Sequence, residues 1–328
     1  MAVAGLFWAL AAVGCGGDAP TDAADPGVTR FRVGLLTPGS IRDGGWNQGA
    51  YEGLVRIRDE LGAEIAHQET KTPQDFESGF RDLAARGYDL VIGHGFEFQD
   101  AAATVGAEYP RTVFVTTSGS TVRDNVAPIV FELEQATYVL GHLGARLSRT
   151  GRLGAVGGVK VPSVASTFFA FEEGARAAGR SATVTVSYTG SWTDVAAARE
   201  ATRALVEAGA DVVIHNANEG AHGFFRAVED SPAVLAFGAN KDQTSMAPGS
   251  VLASATLDVA AALVRVAAEV QRGEFRARPL RFGLADGVIA IAWNPVLRAR
   301  IPDEEWAVTE DLVRRIESGA LEVPRGGF

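Results

Sequence analysis

A chain of 328 residues has room for about two domains of 100 to 200 residues each, and 47% hydrophobic with 21% charged content describes an ordinary globular protein, not a disordered polymer. Thirty Lys and Arg against 40 Asp and Glu leave a net charge of −10, which argues against nucleic acid or anionic lipid as the main partner, since both reward a basic face. The 38 Gly and 13 Pro follow no collagen period, and no apolar run beyond residue 20 approaches the roughly 20 residues of a membrane-spanning helix.

The chain opens MAVAGLFWALAAVGCGGDAP, a short apolar stretch passing into small residues. That pattern reads as a signal peptide over residues 1–14. Cys15, the single cysteine, directly follows Ala12, Val13 and Gly14 and resembles the lipobox cysteine of bacterial lipoproteins, which is lipidated and becomes the first mature residue. A soluble secretory leader with an incidental cysteine is the alternative. Residues 15–29 hold Gly, Pro, Asp and Thr with little to bury and read as a flexible tether. The expected location is the cell envelope, lipid-anchored and facing the periplasm or exterior.

From residue 31 short Val- and Ile-rich runs alternate with stretches of helical spacing. Strands are predicted at 31–38, 63–68, 89–95 and 112–117, with helices at 46–61, 73–86 and 97–108 between them. The pattern repeats as strands at 152–159, 183–189, 211–217 and 233–239 with helices at 163–178, 194–208 and 219–229, and a long helix at 133–148 joins the two sets. Continuous apolar strands separated by helices call for a parallel sheet covered on both faces, so two doubly wound α/β lobes are expected. The tail holds VLASATL, a helix at 258–272, DGVIAIAW and a closing helix from Pro302 to Ser318. Too short for a third domain, it is expected to return through a multi-strand hinge and complete both lobes. The expected division is 30–148 with 251–275 for the first lobe and 149–250 with 276–328 for the second.

In open α/β sheets, ligands bind beyond the carboxyl ends of the strands. After the first strand come Asp43, Gly44, Gly45, Trp46 and Asn47, where Asp43 suits a helix cap and Trp46 offers a flat apolar face at the cleft. Trp192 holds the matching place in the second half, within Gly190-Ser191-Trp192-Thr193-Asp194. A buried core position is the plainer alternative for Trp46. Two tryptophans on facing lobes suggest a flat ligand gripped on both faces, at about 1 to 3 kcal/mol per stacked contact.

Five collinear blocks then become specific: DGGWNQGAYEGL, VIGHGFEFQDAAATVGAEYP, LGAVGGVKVPSVASTFFAFEEGARA, SYTGSWTDVAAAREAT and FGANKDQTSMAPGSVLAS. Together, over residues 31 to 275, they resemble the basic membrane protein family, the purine-nucleoside-receptor-like substrate-binding lipoproteins of ABC transporters. The resemblance implies the type I periplasmic-binding-protein fold, a purine nucleoside or related flat heterocycle as ligand, an ABC permease with its ATPase as partners, and a monomer without cofactor. It also implies that Trp46 and Trp192 sandwich the base, that Asp43 and Asn47 read its polar edges, and that backbone at Gly95 and Phe96 approaches the ligand. The ribose side departs from the pattern. Asn240 stands where an aspartate is usual, in Gly238-Ala239-Asn240-Lys241-Asp242-Gln243, Leu257 replaces a lysine, and Asn218-Glu219 replaces a Gly-Gly turn. For Asn240 and Asp242 tight-turn chemistry competes with ligand contact, and for Asn218 and Glu219 a helix start does.

Enzyme readings find little to stand on. Gly93-His94-Gly95 lacks the third glycine of a dinucleotide fingerprint, and neither a phosphate-binding G-x-x-x-x-G-K-[ST] loop nor a G-x-S-x-G elbow occurs. His215, Glu219 and His222 have spacings that could gather a metal, but His215 falls in a predicted strand. A sugar- or signal-binding protein of the same two-lobed kind is the closer rival, because aromatic rings also stack on pyranose faces.

Overall fold

Strands form mainly where the apolar runs are continuous, and several of the helices begin at an Asp or Thr cap. The structure is a computed structural model that describes residues 1–2, 30–43 and 45–327. Apart from Met1 and Ala2, the predicted leader, the tether and Cys15 lie outside the described residues. The first half runs β1 (Arg32–Thr37), α1 (Trp46–Leu61), β2 (Glu64–Glu69), α2 (Pro73–Ala85), β3 (Leu90–Gly93), α3 (Gln99–Glu108), β4 (Val113–Thr117) and β5 (Val126–Phe131). After α4 (Leu133–Leu147) the second half repeats it as β6 (Arg152–Gly157), α5 (Pro162–Ala177), β7 (Thr183–Tyr188), α6 (Val195–Glu207), β8 (Val212–Asn216), α7 (Ala221–Glu229) and β9 (Leu235–Asn240). The remainder is β10 (Val251–Leu257), α8 (Val259–Gln271), β11 (Leu280–Phe282), β12 (Ile289–Trp293), α9 (Pro295–Arg298) and α10 (Asp303–Glu317).

The two six-stranded sheets have the same order, β2-β1-β3-β4-β5-β11 and β7-β6-β8-β9-β10-β12. All ladders are parallel except β10 with β12. Inner strands β3 and β8 are buried throughout, whereas edge strands β2 and β7 are partly exposed along their length and keep polar side chains. Thr72 caps α2 in a reciprocal box with Asp75, and Asp194 and Asp258 accept from Ala197 and Ala261 N–H to start α6 and α8.

The lobe division differs from the one the sequence suggested. β10 pairs with β9 and so belongs to the second sheet, while β11 pairs with β5 in the first. Helix α4 packs against α5, β10 and β12 and is part of the second lobe, whereas α8 packs on α1 in the first. The cause is β5: its VAPIVF carries Pro128, which masks it as a strand, and without it the first crossing is placed after α4 instead of before it. The chain therefore crosses three times, at Phe131–Leu133, Leu257–Val259 and Phe282–Ile289. These crossings are hydrogen-bonded to one another: Glu132 N–H donates to Phe282 O, Asp258 N–H to Val288 O, and Leu284 N–H to the Gln135 side chain.

Helices α4 and α5 meet backbone to backbone at Gly141 and Gly174, where any side chain would overlap the carbonyl oxygens of Phe171 and Tyr138. Gly141→Val is therefore expected to cost about 3 kcal/mol in urea denaturation. Gly249→Ala, whose added carbon would meet nothing within 4 Å, should change stability by less than about 0.5 kcal/mol.

Candidate ligand-binding site

Both sheets have the 2-1-3-4-5 order in which neighbouring loops part between the first and third strands, leaving a crevice at their carboxyl ends. The loops after β1 and β3 in one lobe, and after β6 and β8 in the other, open onto a single cavity of about 490 Å³. Trp46 and Trp192, one from each lobe, both line it. The lobes approach closely here: a carbon added to Gly45 would lie 2.7 Å from Oδ1 of Asn218 across the cleft.

Trp46 begins α1, and its ring is held rather than free. It stacks on His94 with centroids 4.1 Å apart and planes at 25°, and meets Phe131 edge-on at 6.0 Å. His94 is fully buried, with Nε2 3.0 Å from Trp46 O and Nδ1 3.1 Å from Thr117 Oγ1. A carbonyl only accepts, so Nε2 carries the proton and Nδ1 receives the threonine hydroxyl. Burial pushes the His94 pKa down to about 3, so the stacked imidazole is neutral. Trp192 packs over Gly158, which has no room for a side chain beneath the indole, and its carbonyl accepts from Gly220 N–H at 3.0 Å.

The polar lining is built from strand ends. Asn47 is 7% exposed; its Nδ2 donates to Asp43, while its Oδ1 has no partner. Asn240 Nδ2 donates to Oδ1 of Asn216 at 3.2 Å. Ser118, Asn218 and Asn240 have φ of 61°, 47° and 71°, the only non-glycine residues with positive φ among those described, and all three line the cavity. Left-handed backbone at side-chain-bearing residues costs about 1 kcal/mol or more, and it concentrates where a fold holds groups for a ligand. Gly95, Phe96, Glu97 and Glu219 complete the polar and aromatic walls. Glu97 lines the cavity with its side chain still open to solvent; desolvation by the surrounding walls raises its pKa against a hydrogen bond from its own backbone N–H.

The comparisons with known proteins bear directly on this arrangement. A family profile described as ABC transporter substrate-binding protein PnrA-like matches residues 31–322. The chain belongs to this family. Basic membrane protein A2 of Borrelia garinii subsp. bavariensis is 24% identical over 97% of this chain and 94% of its own. A purine-binding protein of Brucella abortus is 24% identical over 89% and 82%. Among solved structures, a solute-binding protein of Aeropyrum pernix K1 superposes with a TM-score of 0.79 at 21% identity, covering 91% of this chain and 94% of that one. A transcriptional activator of Bacillus halodurans superposes at 0.76 with 26% identity, covering 89% and 99%. The fold is that of the type I periplasmic binding proteins.

Within this PnrA-like frame, two expected ligand contacts are occupied otherwise. Asp43 does not line the cavity: its two oxygens accept from the N–H groups of Gly45, Asn47 and Gln48 and from the Asn47 amide, so it caps α1 and orients Asn47. Asp242 also lies outside it; it accepts from Thr244 N–H in a tight turn and borders a neighbouring hollow of about 460 Å³. Trp46, Asn47, Gly95, Phe96, Trp192, Asn218, Glu219 and Asn240 are brought together, and Leu257 joins them. Sequence reasoning missed Glu97, Ser118 and Asn216. Glu97 adjoins the expected Gly95-Phe96 pair and Asn216 ends β8, so position relative to a strand end was the available signal.

His215 is buried like His94; it donates from Nε2 to Gln243 Oε1 at 2.8 Å, and burial lowers its pKa to about 4. Above the ordinary value of 6.5 neither state binds these protons. Below it the unfolded chain takes them up and the folded chain refuses. Stability should therefore fall from about pH 6.5 downward by roughly 1 kcal/mol per pH unit per histidine, until each folded pKa is passed. Urea denaturation between pH 7.5 and 5 checks this, and His94→Gln should flatten the slope.

Proposed function

We propose that this chain is the substrate-binding component of an ABC importer, trapping a purine nucleoside or related flat heterocycle between its lobes. The observation that carries the reading is the pair of indoles, Trp46 and Trp192, contributed by different lobes to one cavity. A purine-sized ring between two such faces gains about 1 to 3 kcal/mol from each, and a few hydrogen bonds bring the total to the roughly 8 kcal/mol of micromolar affinity. Asn47 Oδ1, buried and unpartnered, offers an acceptor for a ring N–H or amine. The relative described as purine-binding supports the same ligand class.

Each lobe holds half of the site, so ligand stabilises the closed form by touching both, and the closed form is what a permease would recognise. The three crossings provide the hinge. Membership of a solute-binding family and a cavity built for capture argue for cargo delivery, with energy supplied by a separate ATPase. In this reading Cys15 carries the lipid that keeps a monomeric receptor at the outer face of the membrane.

Titration of tryptophan emission with adenosine, guanosine, inosine and a sugar panel tests the proposal. Saturable quenching by nucleosides is expected, weakened about tenfold to a hundredfold in Trp46→Leu and in Trp192→Leu. A response to sugars alone would replace the heterocycle by a pyranose.

A further inference from the structure

The cavity's charge is one-sided. Among the described residues no Lys, Arg or His side chain lines it, yet two carboxylates do, Glu97 and Glu219. They occupy matching places. Glu97 is the middle residue of the short turn Phe96–Phe98 that follows β3, and Glu219 is the middle residue of Asn218–Gly220, which follows β8. β3 and β8 hold the same position in the two sheets, so one carboxylate comes from each lobe.

Two lysines adjoin the lining without being part of it. Lys160 stands between the lining residues Val159 and Val161, but its ammonium lies 5.8 Å from the centre of the Tyr188 ring. Lys241, next to Asn240, borders the neighbouring hollow instead. The start of α5 also faces the cavity, and a helix N-terminus ordinarily favours anions. Here Pro162 has no N–H, and the N–H groups of Val164 and Ala165 both donate to Val161 O, so most of that end is already satisfied. The N-terminus of α1 is closed by Asp43.

One further polar atom leans the same way. Asn47, more than nine-tenths buried, lines the cavity with an unpartnered Oδ1, and its Nδ2 is taken by Asp43. Carboxylates accept and do not donate. Closing the lobes brings two like charges into one enclosed volume, which repel in the empty site and attract a cation placed between them. Desolvation shifts the Glu97 pKa upward, the direction expected of a carboxylate without a cationic neighbour.

We infer that the site selects for positive charge on its flat ligand: Glu97 and Glu219, one from each lobe, with the free Asn47 Oδ1, favour a cationic or protonated-amine heterocycle and exclude phosphate esters. This deepens the proposed function and rests on its assignment of the Trp46 and Trp192 cavity as the binding site.

Calorimetry on the purified protein with two matched pairs separates the two readings. One pair is adenosine and N1-methyladenosine, whose ring is cationic at neutral pH; the other is nicotinamide and 1-methylnicotinamide, flat but not purines. The cation of at least one pair should bind at least tenfold more tightly than its neutral partner. That ratio should shrink at least threefold in Glu97→Gln and in Glu219→Gln, and adenosine 5′-monophosphate should bind at least tenfold more weakly than adenosine. Adenosine binding with no cation preference, and with ratios unmoved in both variants, overturns the charge inference and leaves the purine reading standing. Preference for 1-methylnicotinamide without binding of either adenosine upholds the charge inference and removes the purine. Failure of all four ligands to bind overturns both.

Discussion

In each sheet the helices change faces between the first and third strands, and the loops that lead into them are forced apart. That constraint of doubly wound parallel topology makes one crevice per lobe, at β1/β3 and again at β6/β8. Much of the lining follows from it: Trp46 and Asn47 open the helix after β1, Gly95 to Glu97 follow β3, Val159 and Val161 follow β6, and Asn218 and Glu219 follow β8, while Trp192 and Asn240 reach the cavity from the ends of β7 and β9. Because the same order is used twice, the two crevices present equivalent turns to one another, and a site assembled from both is the natural product of the duplication.

The indole at Trp46 shows how such a turn is made firm. Asp43 uses both carboxylate oxygens to hold the start of α1, and buried neutral His94 supports the ring from beneath while bonding the same residue's carbonyl. A protonated imidazole could not accept the Thr117 hydroxyl, so burial and tautomer are one arrangement seen twice. On the opposing lobe Gly158 lets the Trp192 ring lie against backbone. Each platform is fixed within its own lobe, and the distance between them is left to the hinge, whose three crossings are cross-bonded by Glu132, Asp258 and Gln135.

A cluster of ion pairs sits at the hinge. Glu132 meets Arg281 and Arg325, and Glu134 also meets Arg325, so the closing tail is tied to the first crossing. Among the described residues, the charged side chains that line the cavity are acidic. That lining gives the site an electrostatic character that the net charge of the chain does not by itself dictate.

The sequence by itself determined the two sets of strand-helix repeats, most element boundaries to within two residues, and the strand-end placement of Trp46, Asn47, Trp192, Asn218 and Asn240. Local signals suffice there, because apolar periodicity, helix caps and turn residues act over a few positions. It did not reveal β5, whose proline hides it, or three-residue β11, and so it misassigned α4, β10 and β11 between lobes. Nor did it distinguish Asp43 and Asp242, which lie outside the cavity with oxygens bonded to backbone N–H groups, from Glu97, which lines it: all three are acids near strand ends. Only tertiary structure decided those matters, since strand partnership and the direction of a carboxylate are fixed by what the rest of the chain brings alongside, and no window of neighbouring residues contains that information.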